Sequence, residues 1–408
     1  MPSDIFQPAR VNFVAGSVIV VEGKNTSRFF IIQRGKVQIK REIDALIEEK
    51  NTIAGPGDII GAVSAMAAYS FIETLIAVTD VTLLAVERDQ YPALIRDNTA
   101  IAVKIIQQFS QRLRSLDTML SRRTLSAAAG NDATHILQVA DYYNGQKKYN
   151  LAFYAYQRYA AHCPNAGNLA EIKQKMMKIA PQVKVQRPVY PPDQMARKYP
   201  KDCLICAEGE TGDELYIIQE GRVNITKIVD NQEMVLAVLK KGGIFGEMAL
   251  LEDKPRAATA EVSEDCSVLA INRKNFEAVS IANPEIVSRL TSAMAERIWV
   301  IYKQIATTLI ENPLGRMYSA LLVQLEKDRV AVNTNQSHQC GFGFKELSGM
   351  AGIPAAEGEL HSKKMLLTKR ITLVNGKIFV TDASEAMRQT EYFKKAQRLG
   401  MDRGDAKR

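Results

Sequence analysis

Two stretches of the chain share one pattern of short apolar strands interrupted by glycine turns. The pattern is typical of a small antiparallel roll or barrel. The stretches can be laid over one another, and so long a register predicts two domains of common ancestry. The superimposed pairs are 20–23 with 206–209, 30–37 with 216–223 and, after a slip of one residue, 84–86 with 269–271.

Each predicted roll leads into a long amphipathic helix. Apolar residues recur there at spacings of three and four, which places them on one buried face. The pattern predicts helices over residues 101–121 and 285–309. The two stripes are Ile105, Phe109, Leu113, Leu116 and Leu120 in the first, and Leu290, Met294, Ile298, Ile301 and Ile305 in the second.

A third kind of segment separates the two rolls. Residues 131–143 and 150–163 are predicted to form two helices, broken at Asn144 and Gly145. Small and aromatic residues in this hairpin resemble the pattern of tetratricopeptide repeats. One such unit cannot bury a continuous core alone, so it is either a spacer with an aromatic core or a partner-binding unit. The matching positions are Ala140, Tyr143, Tyr149, Ala152, Tyr156 and Pro164.

Composition places few limits on function. The 408 residues are 46% hydrophobic and 24% charged, as in ordinary globular proteins, and suffice for two to four domains. A net charge of +8 permits nucleic-acid or anionic partners without requiring them. No apolar run reaches the ~18 residues that a membrane-spanning helix needs, so no membrane partner is expected.

Cysteine usage favours a reducing cytoplasm, because five cysteines form no disulfide framework. Cys203 and Cys206 form a CxxC pair, but on a strand predicted over residues 201–207 their sulfurs would point to opposite faces. No second pair or nearby histidine completes a metal site. We therefore expect no metal.

The most informative segment is residues 243–251, followed by residues 255–259. It places Glu247 and Arg256 nine positions apart, around a helical turn that glycine opens. An arginine can hold a singly charged cyclic phosphate through paired, charge-assisted hydrogen bonds. A carboxylate can accept the ribose 2′-hydroxyl, while Gly246 and the amides of the turn allow close backbone approach to an anion.

This segment closely resembles the phosphate-binding cassette of cyclic-nucleotide-binding domains, in the form that protein kinase A regulatory subunits use. The resemblance implies a ribose contact for Glu247 and a phosphate contact for Arg256. Ala257 lacks the threonine hydroxyl of guanine-selective relatives, which favours cyclic AMP over cyclic GMP as the ligand. An ordinary turn beside a surface arginine is the alternative. The candidate residues are Phe245, Gly246, Glu247, Met248, Ala249, Arg256, Ala257, Ala258 and Thr259.

Two aromatic residues extend this candidate site. Trp299 and Tyr302 lie on the helix after the second roll, near where relatives cap the purine. An aromatic ring stacked on the base would orient it and exclude water. Packing of both side chains in a seam between helices is the other interpretation, and the sequence leaves both open.

The first roll has lost this chemistry. Ala62 stands where Glu247 does, and Phe71 stands where Arg256 does. An anionic nucleotide would be desolvated there without a partner for its charge. We expect Phe71, with Met66 and Tyr69, to fill the pocket and give this domain a structural or docking role. A different ligand with its own contacts is the alternative.

Beyond residue 310 the chain resembles the output half of catabolite-activator-type transcription regulators, which end in a winged helix. Residues 344–353 would form the first helix and turn, residues 355–369 the second helix, and residues 371–380 the wing. The first turn of the second helix lacks the arginine, glutamine or asparagine side chains that would hydrogen-bond to base edges. DNA binding and protein contact therefore both stay open. The residues of that first turn are Pro354, Ala355, Ala356, Glu357 and Glu359. The cations that could still contact a DNA backbone are Lys363, Lys364, Lys369 and Arg370.

The sequence thus predicts an α+β protein with two cyclic-nucleotide-binding β-rolls, each followed by a long helix, a tetratricopeptide-like hairpin between them and a C-terminal winged helix. The expected function is a cytoplasmic receptor for cyclic AMP that controls transcription; a signalling adaptor that binds proteins is the alternative. No enzyme signature or cofactor is expected. The long helices could pair across a homodimer or within one chain. The predicted domains are 1–125, 126–192, 193–310, 311–385 and a basic tail over 386–408.

Overall fold

The computed structural model describes residues 8–44, 53–124, 133–229, 232–247 and 255–400. The chain divides into two compact units. One unit comprises Met1–Tyr91 together with Ala295–Arg408, and the other comprises Pro92–Met294.

The first roll lies in the first of these units. Strands β1 to β8 are Ala9–Phe13, Val18–Val20, Arg28–Arg34, Val37–Lys40, Ile53–Ala54, Ile59–Ile60, Thr74–Ala77 and Val81–Glu87. They form two antiparallel sheets, in the orders β1-β8-β3-β6 and β2-β7-β4-β5. A short helix, α1 (Ala62–Ala67), follows β6 and is buried throughout. Apolar side chains from both sheets, Phe30, Val37 and Leu83 among them, share one core.

The second roll lies in the other unit and repeats this plan with longer strands. Strands β9 to β14 are Ala196–Tyr199, Leu204–Cys206, Glu214–Val229, Gln232–Leu239, Ile244–Phe245 and Thr259–Asn272. The order is β10-β14-β11-β12, with β13 also on β11 and β9 also on β14. Strand β11 covers the length that β3 and β4 share in the first roll, and β14 covers that of β7 and β8.

Strand register confirms the repeat. Phe30 pairs with Ile60 in the first roll, and its counterpart Tyr216 pairs with Phe245 in the second. Each glycine that follows these short strands, Gly61 or Gly246, has a positive φ. The two predicted rolls are therefore confirmed strand by strand.

Four helices of the second unit were predicted, over residues 101–121, 131–143, 150–163 and 285–309, and each lies close to its predicted position. The helices of this unit are α2 (Tyr91–Asp97), α3 (Thr99–Thr124), α4 (Ala133–Gly145), α5 (Tyr149–His162), α6 (Leu169–Ile179), α7 (Arg273–Ala282) and α8 (Pro284–Thr308), of which α2 begins, and α8 ends, in the first unit. Helices α4 to α6 share one core with Leu204, Ala207 and Ile228 of the second roll. The hairpin therefore folds onto the roll, which provides part of the core that one repeat cannot bury alone.

The C-terminal region combines four helices with a small sheet. These elements are α9 (Pro313–Lys327), β15 (His338–Gln339), α10 (Phe344–Met350), α11 (Ala355–Leu367), β16 (Ile371–Val374), β17 (Lys377–Val380) and α12 (Ser384–Arg398). The side chain of Asn312 caps α9 by accepting from two backbone amides. Asn375 and Gly376 both have positive φ, as a two-residue hairpin turn requires. Helix α12 shows that residues 386–398 of the predicted tail are folded.

Cys203 and Cys206 do not lie on one strand, because β10 begins only at Leu204 rather than at residue 201. All five cysteines lie in the described residues and are free thiols. Burial raises the pKa of Cys203 to about 12 and that of Cys206 to about 11. Within the described residues, no cluster of side chains suits a metal ion, and no helix is long and apolar enough to cross a membrane.

Candidate functional site

A loop between β10 and β11 holds the backbone of Arg256. The amide of Arg256 donates to the carbonyl of Glu210 at 2.8 Å, and the amide of Gly209 donates to the carbonyl of Arg256 at 2.9 Å. Nearby, the amide of Glu208 donates to the Thr259 hydroxyl at 2.9 Å. These hydrogen bonds fix the backbone of Arg256, the residue predicted to bind the phosphate. Thr259 contributes one of them through its hydroxyl.

The Arg256 side chain is buried, with only 5% of the residue exposed. Its Nη1 donates to the carbonyls of Glu214, at 2.6 Å, and Gly246, at 3.0 Å. The guanidinium carbon lies 5.6 Å from the centre of the Tyr216 ring. Nε is buried and, among the described residues, has no hydrogen-bond partner. A charged donor therefore remains for an anion.

The charge of Arg256 is maintained despite burial. Burial acts to lower the pKa of this guanidinium, but surrounding groups, including Glu210 and Glu214, raise the pKa above its usual range. A buried cation whose donor is not used is costly unless something completes its hydrogen bonds. A singly charged phosphate oxygen has the chemistry to do so.

Gly246 permits the close approach of Arg256 to the backbone. Its φ is +80°, and an added Cβ would lie 2.6 Å from Arg256 Nη1 and 2.9 Å from the Glu214 carbonyl oxygen. Any other residue would displace the guanidinium. Phe245, just before it, stacks on the Tyr216 ring with centroids 5.1 Å apart.

The remaining candidate residues are only partly described. Glu247 is buried, with 6% exposed. Ala257 and Ala258 are half-buried. Met248 and Ala249 lie outside the described residues. The structure thus brings Phe245, Gly246 and Arg256 together around Tyr216, and places Glu247 next along the chain.

Comparison with known proteins agrees with this geometry. The cyclic nucleotide-binding domain matches residues 10–98 and 196–283. A solved regulatory domain of Toxoplasma gondii PKA with cAMP aligns over 70% of this chain and 85% of that one, at 19% identity and a TM-score of 0.22. The cAMP-activated global transcriptional regulator CRP of Salmonella typhimurium is 29% identical over 45% of this chain and 87% of that protein. The anaerobic regulatory protein of Bacillus subtilis is 32% identical over 43% of this chain and 80% of that protein.

The chain belongs to the cyclic nucleotide-binding domain family. It carries the domain twice, once in each roll. The two copies can therefore be compared position by position within one molecule.

The first cyclic nucleotide-binding domain retains the frame of the cassette. The amide of Gly23 donates to the carbonyl of Phe71 at 2.8 Å, and the amide of Phe71 donates to the carbonyl of Lys24 at 2.8 Å. The amide of Glu22 donates to the Thr74 hydroxyl at 3.0 Å. These bonds repeat those of Gly209, Arg256 and Thr259 in the second domain, so the structure confirms that Phe71 occupies the position of Arg256.

The ring of Phe71 also fills the space of the missing guanidinium. A Cβ on Gly61 would meet this ring at 2.9 Å, just as one on Gly246 would meet Arg256. Phe71 is fully buried, while Ala62 and Met66 are 5% and 2% exposed. An apolar plug thus replaces the cation and the carboxylate of the second domain.

The structure shows partners for Trp299 and Tyr302 that the sequence did not predict. Both side chains contact the first domain. Trp299 is fully buried, stacks on Tyr69 at 4.4 Å between centroids, and donates from Nε1 to the carbonyl of Ser70 at 2.9 Å. The Tyr302 hydroxyl donates to Glu22 at 3.2 Å. These partners, Tyr69, Ser70 and Glu22, belong to the first domain.

Glu22 lies in an unusual electrostatic setting beside Tyr302. Burial raises the pKa of Glu22 to about 7, and repulsion from Glu42 adds to the rise. Lys303, the Tyr302 hydroxyl and Lys394 act in the opposite direction. The folded protein therefore binds a proton at Glu22 more tightly than the unfolded chain, whose carboxyl has a pKa near 4.5.

We expect this proton to make stability depend on pH. The contribution of protonated Glu22 should be fully present below about pH 4.5 and lost as the pH rises through about 7. Glu22→Gln should remove that decline, as measured by urea unfolding across the pH range. Glu311→Gln, at an exposed glutamate of the same unit, is the control. An unchanged pH profile in Glu22→Gln would contradict the assignment.

Sequence reasoning missed Glu210 and Glu214, whose backbone carbonyls hold Arg256. A signal for Glu210 was present in the repeat, because its counterpart in the first domain is Lys24. The position beside the arginine carries a carboxylate only in the copy that retains the arginine.

Proposed function

We propose that the second domain is the sensor of a cytoplasmic cyclic AMP receptor that regulates transcription. The observation that carries this proposal is the buried Arg256, whose Nε has no partner among the described residues, beside Gly246 and the buried Glu247. The similar protein of Salmonella typhimurium is by name activated by cAMP and a transcriptional regulator.

Each residue of the cassette has a role in this proposal. Arg256 holds the cyclic phosphate through Nε and Nη2, while Nη1 stays on the two carbonyls that position it. Glu247 accepts the ribose 2′-hydroxyl. Phe245 and Gly246 shape the wall, and Met248, Ala249 and Ala258 supply backbone to the cassette. Ala257 offers no hydroxyl to a guanine amino group, which favours cyclic AMP over cyclic GMP.

The first domain acts in this proposal as a dock for the C-terminal region. The Ser70 hydroxyl donates to Glu326 of α9 at 2.6 Å, and Lys394 of α12 pairs with Glu42 at 2.8 Å. Arg329 donates to the carbonyls of Ala67 and Ala68, and its guanidinium carbon lies 3.7 Å from the centre of the Tyr69 ring. The contacts of Glu326 and Arg329 fall on residues 67–70, the segment of the first domain that corresponds to the cassette of the second.

The output proposed for the C-terminal region is DNA binding by a winged helix, with α10 and α11 as the helix pair and β16–β17 as the wing. Two of its four candidate cations are already paired. Lys363 contacts Glu359 at 3.1 Å, and Arg370 contacts Glu385 at 2.6 Å. Lys364 and Lys369 are exposed and would carry most of the phosphate contact.

A signalling adaptor is the second candidate function, and the surface of α11 favours it. Leu360 and Leu367 are 56% and 79% exposed on this helix. Exposed apolar side chains on a recognition helix suit a protein partner better than base edges. In this alternative the winged helix would contact a protein, and cyclic AMP would control that contact.

A DNA mobility-shift experiment with the full chain separates the two candidates. We expect cyclic AMP to increase binding to duplex DNA, with an affinity that falls as salt rises, because phosphate contacts release counterions. Replacing Lys364 and Lys369 together with glutamine should weaken the complex, whereas replacing Leu360 and Leu367 with serine should not. Cyclic AMP binding by calorimetry without any DNA shift would favour the adaptor.

A further inference from the structure

Helix α5 of the hairpin touches the loop that holds Arg256. The Tyr154 hydroxyl lies 3.0 and 2.9 Å from the two carboxylate oxygens of Glu210, and Arg158 Nη2 lies 2.8 Å from the same carboxylate. One turn later, His162 Nε2 lies 2.5 Å from the Thr211 hydroxyl and accepts the Thr211 amide at 3.1 Å. The helix thus fixes two consecutive residues of the loop.

The other side of this loop faces the phosphate arginine. The carbonyl of Glu210 accepts the Arg256 amide, and a Cβ on Gly212 would lie 2.7 Å from Arg256 Nη2. Glu210 is buried, with 6% exposed. The loop therefore contacts α5 through Glu210 and Thr211, and Arg256 through Glu210 and Gly212.

Glu210 has a charge that must be compensated. Its carboxylate attracts Arg256 as well as Arg158. Burial, together with this carboxylate, raises the pKa of Tyr154, which keeps the phenol protonated as a donor. If Arg158 were absent, Glu210 would keep the hydrogen bonds from the Tyr154 hydroxyl and the Ala207 amide but would lose its cation. Its charge would then draw on Arg256 and compete with an incoming phosphate.

We propose that Arg158 is a positioning residue for the nucleotide site, so that the helical hairpin sets the affinity of the second domain for a cyclic phosphate. This inference rests on the proposed function of that domain. Arg158 neutralises Glu210, and Tyr154 and His162 fix the loop, so that Arg256 keeps Nε and Nη2 for the ligand.

Further contacts attach the hairpin to the same roll. His135 pairs with Glu208 at 3.1 Å, next to the loop. Lys148 contacts Glu233 at 3.1 Å and Glu261 at 3.4 Å. The shared apolar core joins these pairs, so a change in the hairpin reaches the loop through several connections. The hairpin is therefore part of the sensor, not a spacer between two domains.

The test is a charge-compensation cycle in the full chain. Arg158→Gln should weaken cyclic AMP binding by about three- to tenfold, because a partly exposed charged hydrogen bond is lost and Glu210 is left without its cation. The double variant Arg158→Gln with Glu210→Gln should bind more tightly than Arg158→Gln, because it no longer carries that uncompensated carboxylate. Arg158→Lys should retain most of the affinity. Lys175→Gln, which breaks a pair with Asp141 elsewhere in the hairpin, is the control.

A second readout uses the protein without nucleotide. In Arg158→Gln, hydrogen exchange at the amides of Gly209 and Arg256 should accelerate, since both bonds belong to the loop. If wild type binds no cyclic nucleotide, the proposed function fails, while exchange still decides whether α5 holds the loop. Unchanged exchange in Arg158→Gln, or a double variant that binds worse than Arg158→Gln, would overturn the inference.

Discussion

Replacing Arg256 with alanine is expected to reduce the affinity for cyclic AMP by at least about tenfold, because breaking a buried, charged hydrogen-bonded contact costs ~2–5 kcal/mol. The variant removes the cation that is proposed to bind the phosphate. It also leaves the carbonyls of Glu214 and Gly246 without the donor that they share. Glu247→Ala should cause a loss of similar size, because the ribose hydroxyl would lose its acceptor. Calorimetric titration with cyclic AMP and cyclic GMP measures both changes.

Controls separate loss of the contact from loss of the fold. Arg256→Lys keeps the charge but not the paired donors, so its affinity should lie between those of wild type and alanine. Arg222→Ala removes an arginine of the same roll that pairs with Glu264 at the surface, and should bind normally. Binding that survives both Arg256→Ala and Glu247→Ala would show that the ligand sits elsewhere.

Both rolls were predictable because the two copies of the repeat can be aligned with each other. Glycine turns, paired strands and the cassette recur at a nearly constant offset, so aligning the two copies of the repeat is enough to match Phe71 to Arg256. Backbone hydrogen bonds around these two residues agree with that match. The loss of chemistry in the first domain follows from side-chain type alone, because no isosteric cation or carboxylate replaces what is missing.

The partner of Trp299 was not predictable in the same way. Helical periodicity shows which face of α8 is apolar, but not which surface covers it. The acceptor for Trp299 Nε1 is the backbone carbonyl of Ser70, and every residue provides such a carbonyl. The sequence therefore left a lid on the base and a seam between helices open, and it did not indicate Tyr69 and Ser70, which contact Trp299 in the structure.

The contact between the hairpin and the loop that contains Glu210 could not be predicted from the sequence, for a related reason. Tyr154 and Arg158 are ordinary amphipathic positions of a helix, and their partner Glu210 follows about fifty residues later in a loop. Pairing between a charged helix face and a loop carboxylate has no fixed spacing in sequence. The difference between Lys24 and Glu210 in the two copies is a clue to it, but only once the fold is known.

Trp299→Ala should destabilise the unit that contains the first domain by ~3–5 kcal/mol, the usual cost of deleting a buried tryptophan side chain. The change removes the stack on Tyr69 and leaves the Ser70 carbonyl without its donor. Urea unfolding followed by far-ultraviolet circular dichroism measures the loss, because this variant has no tryptophan to report by fluorescence. Trp299→Phe retains a ring and should lose less. Tyr392→Ala, at an aromatic residue 63% exposed in the same unit, should change stability little.

The same variant distinguishes a dock in the first domain from a lid on the nucleotide. If the contacts with Tyr69 and Ser70 describe its role, Trp299→Ala should expose the amides of residues 67–72 to hydrogen exchange. The affinity for cyclic AMP should change little, even though the free energy of unfolding falls, because the proposed phosphate and ribose contacts lie on other residues. A large loss of affinity with unchanged stability would instead return Trp299 to the base. In that case the first domain would neither bind a nucleotide nor serve as a dock for Trp299.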